Sequence, residues 1–485
     1  MKQESVKSNF LFNVCYQVFI LILPLITAPY LSRTLGAEKV GIYFYTQAFA
    51  NYFVLLAMLG INNYGNREIA RARDSKQKLS KVFWEIFSTQ CFLTVFLTLV
   101  FTIYVISINP KNSTIYLIQI FYVISAGFDI NWFCYGLEKF KITVTRSTIV
   151  RICTAIAIFV FVKSPDDLGI YTFIMAFGTL LGQLVVWPFV INHIYIIFPS
   201  IRGVLNHLKG ILVLFIPVLA VSLYNIMDKL MLGWMSNTTE VGFYTYAEKI
   251  VQIPIAIVSA LGTVLMPKIS NLVANGNDRR SEELMDKSML VAMLSSVAFS
   301  FGLAAIADVF APWFYGVEFT RCGLFIVLLC PIIIFKSWSA IIRTQYIIPA
   351  KKDKILMISV SIGAAVNIIA NLTLIPHFQG IGAIIGTFFA ELVVFVIQLV
   401  KVRKNIKLSI YLKDGMQFCL IGALMYIGID WIESLNMPTI ITLVFQVSLG
   451  ALIYVFLSCY YMLKVKKEPF VVNSLFKTFK IKKTF

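Results

Sequence analysis

Charged side chains are scarce in this sequence. Asp, Glu, Lys and Arg make up 14% of its 485 residues, whereas a typical soluble domain has about 25%. Hydrophobic residues make up 59%, and they form continuous runs of roughly 20 residues, the length that a helix needs to cross a bilayer. Strands of a membrane barrel would instead alternate over about ten residues. The composition therefore excludes a soluble protein and predicts an all-α integral membrane protein.

Residues and motifs that support metal or enzyme chemistry are also few. The sequence has three histidines, and its eight cysteines contain no CxxC pair, so the cysteines are interpreted as small hydrophobic residues. It contains no Walker A, HExxH or GxSxG motif, and these are the patterns that mark nucleotide hydrolysis, zinc proteases and serine hydrolases. We therefore predict no metal, no cofactor and no enzymatic activity.

The apolar runs predict about 14 transmembrane helices. In chain order they cover approximately 10–31, 42–62, 83–107, 114–133, 146–162, 168–193, 211–235, 242–266, 289–312, 323–342, 355–375, 381–400, 416–433 and 440–463. The apolar run after the basic start MKQESVK is too long for the core of a signal peptide. We therefore expect an uncleaved first helix.

Basic residues set the predicted orientation. With the N-terminus inside, the outer loops hold only Arg33, Lys39, Lys111, Lys163 and Arg321. Four more lie inside predicted spans, namely Arg151, Lys229, Lys249 and Lys336. All the others of the 42 are counted with inner segments and the C-terminal tail, including Arg146 at the first position of a span. This asymmetry is the positive-inside pattern, so both termini are predicted to be cytoplasmic. It also explains the net charge of +18 without a nucleic-acid partner.

A weak internal repeat suggests two halves. LGAEKVGIYFYTQA (35–48) follows the first span, and LGWMSNTTEVGFYTYAEK (232–249) follows the seventh. Six spans separate the copies, so the halves share one orientation, as in parallel transporter repeats. We therefore predict pseudo-symmetric six-helix bundles at 1–210 and 211–410 around a central cavity. Two extra helices and a basic cytoplasmic tail would follow at 411–485.

Two charged dyads lie within the predicted hairpin of spans seven and eight. Asp228–Lys229 precedes the turn near residues 236–240, and Glu248–Lys249 follows it. Both dyads lie roughly 10 Å into the membrane, where charges are costly and usually face a bundle interior or a wet cavity. They either form structural ion pairs that fix the register of two helices or line a central cavity. We predict the cavity role.

Other charges lie inside predicted spans. Arg151 is close enough to an inner helix end to extend its side chain to the membrane surface, or it faces the cavity. Lys336 lies near the middle of its span, and Glu391 is its natural counterpart, either as an ion pair or as a protonated acid. Asp129 lies near an inner end. Glu391, Asp228 and Asp129 are the candidates for ion coupling.

Several dispersed segments resemble a known family. They are APYLSRTLGAEKVGIY (28–43), NNYGNREIAR (62–71), DINWFCYGLEKFKI (129–142), the DKLMLG…EVGFYTYAEK hairpin and NIIANLTLIPHFQGIGAIIGTFFAE (367–391). In this order and spacing the chain resembles the polysaccharide repeat-unit flippases, often called Wzx-like, of the multidrug/oligosaccharidyl-lipid/polysaccharide exporter superfamily. The resemblance covers most of the first twelve spans, and the last two go beyond that core.

The resemblance implies a bacterial cytoplasmic-membrane flippase. Its substrate would be an undecaprenyl-pyrophosphate-linked oligosaccharide, moved from the inner to the outer leaflet for O-antigen, capsule or a related wall polysaccharide. Polysaccharide polymerase and chain-length machinery would be possible partners. The family's cavity-lining charges would correspond here to Asp228 and Glu248 with the cations Arg151, Lys229, Lys249 and Lys336.

Three other functions remain open at this point. A drug antiporter of the same superfamily would need an anionic cavity, and the intramembrane cations argue against one. An integral-membrane polymerase would need acid and base residues on an outer loop, but the longest outer loops, SINPKNS and WFYGVEFTRCG, are short and poor in them. A non-transporting scaffold for polysaccharide synthesis also stays open, and buried charge without a structural need argues only mildly against it.

Overall fold

The computed structural model describes residues 6–435 and 437–466, without the side chains of 6–22, 216, 217, 220, 221 and 223–225. The first residues of the basic start and the predicted basic tail at 467–485 lie outside the described part. No strand occurs in the described chain, so the all-α class is confirmed. The chain divides into two compact units, Met1–Gly242 and Phe243–Phe485.

Unit 1 is a bundle of long and short helices. They are α1 (Val6–Met58), α2 (Ile61–Ala72), α3 (Lys76–Ile108), α4 (Ser113–Ile118), α5 (Ile120–Phe128), α6 (Asn131–Gly136), α7 (Phe140–Phe161), α8 (Leu168–Leu184), α9 (Trp187–His193) and α10 (Ile201–Met235). The predicted single span at 114–133 is divided among α4, α5 and α6. One division falls at Asp129, where the backbone is extended and the Asp129 side chain accepts the N–H of Asn131. This is the behaviour expected of an aspartate that competes with helix hydrogen bonds.

Unit 2 begins within a helix and has fewer, longer elements. They are α11 (Thr238–Ala274), α12 (Asp278–Tyr315), α13 (Arg321–Ile342), α14 (Asp353–Val402), α15 (Leu408–Asp430) and α16 (Thr439–Tyr460). The turn before α11 follows the predicted hairpin, since α10 ends at Met235 and the Asn237 side chain accepts the N–H of Glu240. Asparagine is among the preferred residues for such a helix start.

Two helices contain sharp breaks. In α1, Gly36 has φ 76°, and in α14, Gln379 has φ 52°. Eleven helical stretches of the described residues are long and apolar enough to cross a membrane. Leu23–Ala72 covers part of the first predicted span and all of the second, and Asp353–Val402 covers all of the eleventh and twelfth. The helical stretches continue across these breaks because only Gly36 and Gln379 leave helical geometry. The chain is a multi-pass membrane protein, and the count of 14 stays a prediction.

The two copies of the sequence repeat meet at their glycines. A Cβ added to Gly41 would lie 1.8 Å from the carbonyl oxygen of Thr238, and one added to Gly242 would lie 2.7 Å from that of Ala37. Such separations are far inside van der Waals contact, so only glycine allows these backbones to approach. The close approach explains why the Val-Gly pair occurs in both copies. The three-part division into 1–210, 211–410 and 411–485 stays a prediction.

Aromatic side chains fill the interior of both units. In unit 1, the fully buried Trp132 stacks on Phe83 and donates its indole N–H to Gln90 at 3.0 Å. In unit 2, Trp338 of α13 donates to Ser296 of α12 at 2.9 Å. Each indole therefore combines a large apolar surface with a satisfied polar atom, which fixes the helices that carry the charged residues below.

Candidate functional site

An ion pair lies inside the membrane-spanning part of unit 2. The Lys336 Nζ of α13 is 2.7 Å from Oε1 of Glu391 on α14, and the two side chains are 23% and 5% exposed. Each partner compensates a charge that would otherwise be costly to bury. Of the two predicted states for Glu391, an ion pair or an isolated protonated acid, the structure contains the pair.

Arg343 adds a second cation beside this pair. It is seven residues after Lys336, so both side chains project from nearly the same face of the α13 helix. The Arg343 side chain is exposed and interacts electrostatically with Glu391. The cluster of Lys336, Glu391 and Arg343 therefore has a net positive charge. Arg343 was not among the predicted site residues, because it follows the predicted span 323–342 and was counted with an inner loop; its seven-residue spacing from Lys336 was the available signal.

A turn of wider helix begins at Arg343. The backbone from Arg343 to Ile347 forms a π-helix, a rare conformation that occurs mostly as single turns and often at functional sites. The wider turn redirects the side chains of the residues that follow. Gln345 and Tyr346 on this turn therefore do not join the charged cluster. They line a separate cavity of unit 2.

Arg151 of α7 presents a different environment in unit 1. Its side chain is half-buried in a helix long and apolar enough to span the membrane. No hydrogen bond or ion pair involves its guanidinium within the described residues. The group can therefore extend to the membrane surface or bind an anionic group of another molecule, as the two predicted alternatives require.

The first dyad of the hairpin lies in unit 1. Asp228 of α10 is 3% exposed and interacts electrostatically with the phenol of Tyr52 on α1. Its neighbour Lys229 is half-buried. Successive residues on a helix point in directions about 100° apart, so the two members of the dyad face different surroundings. Asp228 is therefore buried, whereas the adjacent Lys229 is more accessible.

The second dyad lies in unit 2. Glu248 and Lys249 of α11 are both half-buried, and the Lys249 ammonium is 5.5 Å from the ring centroid of Tyr246. This distance allows a cation–π interaction. The predicted pairings between the two dyads, and their position at a cavity, stay predictions.

Asp129 belongs to a hydrogen-bonded network around Arg146. The Arg146 guanidinium donates to Gln183 Oε1 at 2.6 Å, Gly182 O at 3.2 Å, Asn131 Oδ1 at 3.1 Å and Ser147 Oγ at 3.0 Å. Asp129 accepts the backbone N–H of Asn131 and interacts with the Arg146 charge. Arg146 therefore connects α6, α7 and α8. It was missed because it was counted with the preceding loop, and the ion-coupling role of Asp129 stays a prediction.

A second buried network in unit 1 was also missed. Glu85 of α3 is 4% exposed, and its carboxylate lies 3.2 Å from His207 Nε2 and accepts the hydroxyl of Ser200 at 3.3 Å. The other ring nitrogen of His207 lies 2.7 Å from the hydroxyl of Tyr64. These contacts connect α2, α3 and α10. An acidic residue just inside an apolar run was the signal in the sequence.

Comparison with known proteins identifies related sequences. The family described as polysaccharide biosynthesis protein matches residues 6–273. A protein of Escherichia coli strain K12 named "Putative O-antigen transporter" is 26% identical over 405 residues, which cover 83% of this chain and 97% of that protein. The lipid II flippase MurJ of Bacillus subtilis strain 168 is 23% identical over 229 residues, 44% of this chain and 41% of that protein. These relatives are transporters and flippases rather than enzymes.

Solved structures share the fold. The inward closed conformation of the lipid II flippase MurJ has a TM-score of 0.75 at 17% identity and covers 93% of this chain and 99% of that one. The inward-facing conformation of a multidrug resistance transporter of the MATE family and the MOP superfamily has a TM-score of 0.57 at 14% identity, and it covers 81% of this chain and 96% of that one. At these identities the likeness establishes the transporter fold.

Proposed function

Because the chain belongs to the family of polysaccharide biosynthesis proteins, we propose that it is a flippase for a lipid-linked oligosaccharide. The substrate is an undecaprenyl-pyrophosphate-linked repeat unit of O-antigen, capsule or another cell-wall polysaccharide. The protein moves this unit from the inner to the outer leaflet of the bacterial cytoplasmic membrane, with both of its own termini in the cytoplasm. The names of the relatives, an O-antigen transporter and a lipid II flippase, support this choice.

The observation that carries the proposal is the excess of accessible cations within spanning helices. Arg151 has no protein partner in the described residues, and Glu391 faces two cations, Lys336 and Arg343. A pyrophosphate cannot enter hydrocarbon uncompensated, and charge-assisted bonds from Arg and Lys are its strongest partners in proteins. We propose that Arg151, Lys336 and Arg343 contact the substrate's pyrophosphate in turn. By the same proposal, the remaining charged residues line the substrate-binding cavity; they are Lys229, Lys249, Asp228 and Glu248.

The proposed mechanism is alternating access. The two halves rock about a central site, as in transporters built from parallel repeats, while the lipid tail stays in the bilayer. With no ATPase motif in the sequence, an ion gradient or the substrate gradient drives the cycle. Protonation of Glu391 would release Lys336 from its ion pair and free it for an anionic substrate, so Glu391 is the favoured coupling residue, followed by Asp228. A polymerase and chain-length machinery would use the product on the outer face.

The leaflet distribution of the lipid-linked oligosaccharide tests the proposal. Membranes with and without the protein are treated with a membrane-impermeant lectin or hydrolase, and the accessible repeat units are counted. Loss of the protein should leave intact repeat units on the inner face, and Lys336→Ala and Lys229→Ala should approach that result. Lys354→Ala, which removes an exposed lysine at the start of α14, is the matched control and should transport normally.

The same assay separates the rival functions. Repeat units that reach the outer face without the protein but remain unpolymerised would establish the polymerase function instead. Export of cationic drugs with an unchanged oligosaccharide distribution would establish the antiporter. The cations Arg151, Lys336 and Arg343 disfavour the antiporter, because each would repel a cationic drug.

A further inference from the structure

A cavity of about 510 Å³ lies at one end of unit 2, separate from the Lys336–Glu391 pair. It is bounded by the beginnings of α12 and α15, the π-helical turn after α13 and the segment 404–407. This end carries the basic loops that the positive-inside pattern assigns to the cytoplasm. Its size lies within the range of about 300–1,000 Å³ that is typical of small-molecule sites.

Three carboxylates line one wall of the cavity. Asp278, Glu282 and Asp286 are four residues apart on α12, a spacing that places them on one helix face. Asp286 is held by hydrogen bonds from Lys407 Nζ at 2.6 Å and from the Tyr411 hydroxyl at 2.5 Å. The bond to Asp286 raises the pKa of Lys407 above its ordinary value. Asp278 and Glu282 are exposed and make no side-chain hydrogen bond within the described residues.

Gln345 supplies the second wall. Its side chain lines the cavity and is 2% exposed, yet neither its amide nitrogen nor its amide oxygen has a hydrogen-bond partner in the described residues. A buried amide without hydrogen-bond partners is unfavourable, because it has lost its bonds to water without replacement. Gln345 also lies on the π-helical turn, a conformation often found at functional sites. A ligand that both donates and accepts hydrogen bonds would satisfy it.

The remaining lining narrows the chemistry of the ligand. The positive charges of two lysines, Lys404 and Lys407, nearly balance the negative charges of the three carboxylates. The cavity therefore does not favour a highly charged ligand. No three His, Cys, Asp or Glu side chains of the described chain converge well enough to hold a metal. The polar groups are instead spread around the cavity, and Tyr346 and Tyr411 add aromatic carbon surfaces. Such a distribution suits a neutral ligand that carries several hydroxyl groups.

We propose that this cavity binds a sugar. The carboxylates of Asp278 and Glu282 accept hydrogen bonds from its hydroxyls, and the amide of Gln345 both donates and accepts. The sugar is either a soluble molecule or the saccharide head of a membrane lipid, since both present the same hydroxyl chemistry. The inference concerns a site apart from Lys336 and Glu391, and it does not depend on the proposed translocation.

Binding of soluble sugars to the full-length protein in nanodiscs tests the site. The probes are N-acetylglucosamine and glucose, and the readout is saturation-transfer difference NMR. We expect saturation transfer to the sugar protons from the unaltered protein and a loss of at least fivefold in Gln345→Leu. Glu282→Gln should also weaken the transfer, and because its side chain is exposed, it should leave folding intact.

Gln446→Leu is the matched control. Gln446 is a fully buried glutamine of unit 2 whose amide atoms also lack partners in the described residues, but it does not line the cavity. Gln446→Leu should bind the sugars as the unaltered protein does. Equal transfer in the unaltered protein, Gln345→Leu and Glu282→Gln would overturn the proposal. So would the absence of transfer to both soluble sugars together with no protection of an added lipid-linked saccharide.

A competition arm identifies the source of the sugar. Displacement of N-acetylglucosamine by a lipid-linked saccharide in the nanodisc assigns the site to a lipid head group, whereas undiminished binding assigns it to a soluble sugar. Both outcomes support the site. The leaflet assay tests the proposed function separately. If the protein bound sugar at Gln345 but did not move repeat units from the inner face, the sugar site would stand and the flippase function would not.

Discussion

Arg146 in unit 1 and Lys336 in unit 2 are both cations at membrane-spanning helices, but their surroundings differ. Arg146 donates four hydrogen bonds of 2.6–3.2 Å to neutral oxygens on its own and neighbouring elements. Lys336 forms an ion pair with the carboxylate of Glu391 and is 23% exposed. The planar guanidinium fork suits a fixed network, whereas an ammonium on a flexible stem can change partners.

This difference separates a structural cation from a candidate functional one. The four acceptors of Arg146 are neutral, so these hydrogen bonds do not require a charged carboxylate, although Asp129 also interacts with the Arg146 charge. The attraction between Lys336 and Glu391 depends on the protonation state of the carboxylate, and an anionic ligand can compete for the ammonium. Charge alone does not identify a binding residue in a membrane helix. What distinguishes the two is whether the partner itself can be neutralised or displaced.

The largest expected effect follows from breaking the fixed network. Arg146→Gln should lower the free energy of unfolding by about 2 kcal/mol, because four hydrogen bonds are lost and each contributes roughly 0.6 kcal/mol in a membrane bundle. Chemical or thermal unfolding in nanodiscs measures this. Arg146→Lys keeps the charge but not the fork, and it should recover less than half of the loss. Full recovery by lysine would show that charge rather than geometry holds α6, α7 and α8.

The Lys336–Glu391 ion pair should affect transport more than stability. Lys336→Gln should lower the rate of oligosaccharide translocation roughly tenfold, equivalent to about 1.4 kcal/mol in the barrier. Arg343 still compensates the charge of Glu391 in this variant, so the loss of folding stability should be limited. The leaflet assay gives the rate, and Lys354→Gln at the exposed start of α14 is the control. An unfolding change larger than the change in transport would make Lys336 a structural cation like Arg146.

Much of the fold follows from patterns that the sequence contains. Apolar runs and basic loops predicted the spans, and the hairpin turn near 236–240 occurs between Met235 and Thr238. The predicted span at 114–133 matches Ser113–Gly136, which is long and apolar enough to cross a membrane, but it is divided among α4, α5 and α6. At the division near Asp129, Gln90 and Arg146 come from other helices and donate hydrogen bonds to Asp129 O and Asn131 Oδ1. Such tertiary partners are not visible in a local pattern.

The candidate site was predictable in part, because charges inside an apolar span are visible in the sequence but helix packing is not. Charge depth in a span singled out Lys336 and Glu391, which the structure brings to 2.7 Å. Arg343 and Arg146 were assigned to loops because hydropathy places helix ends only to within a few residues. Gln345 is polar and uncharged, so hydropathy gave no reason to select it. Which face a helical residue presents depends on packing, and that information is distributed over the whole chain.

A smaller effect should appear as coupling within the ion pair. Lys336→Gln, Glu391→Gln and the double variant form a cycle, and the two changes should couple by about 1 kcal/mol in unfolding, as neighbouring residues do. Glu391→Gln alone leaves two cations without their carboxylate, so it should be less stable than the double variant. A coupling below about 0.3 kcal/mol would indicate that Arg343 rather than Lys336 is the main partner of Glu391.

The smallest effect on stability is expected at Arg151. Its guanidinium has no partner in the described residues, so Arg151→Gln should change the free energy of unfolding by no more than about 0.5 kcal/mol. Transport should nevertheless fall about threefold if Arg151 contacts the pyrophosphate. Arg151→Lys, which keeps the charge, should retain most of the rate. If Arg151→Gln transported normally, the side chain would extend to the membrane surface, and the cationic route would begin in unit 2.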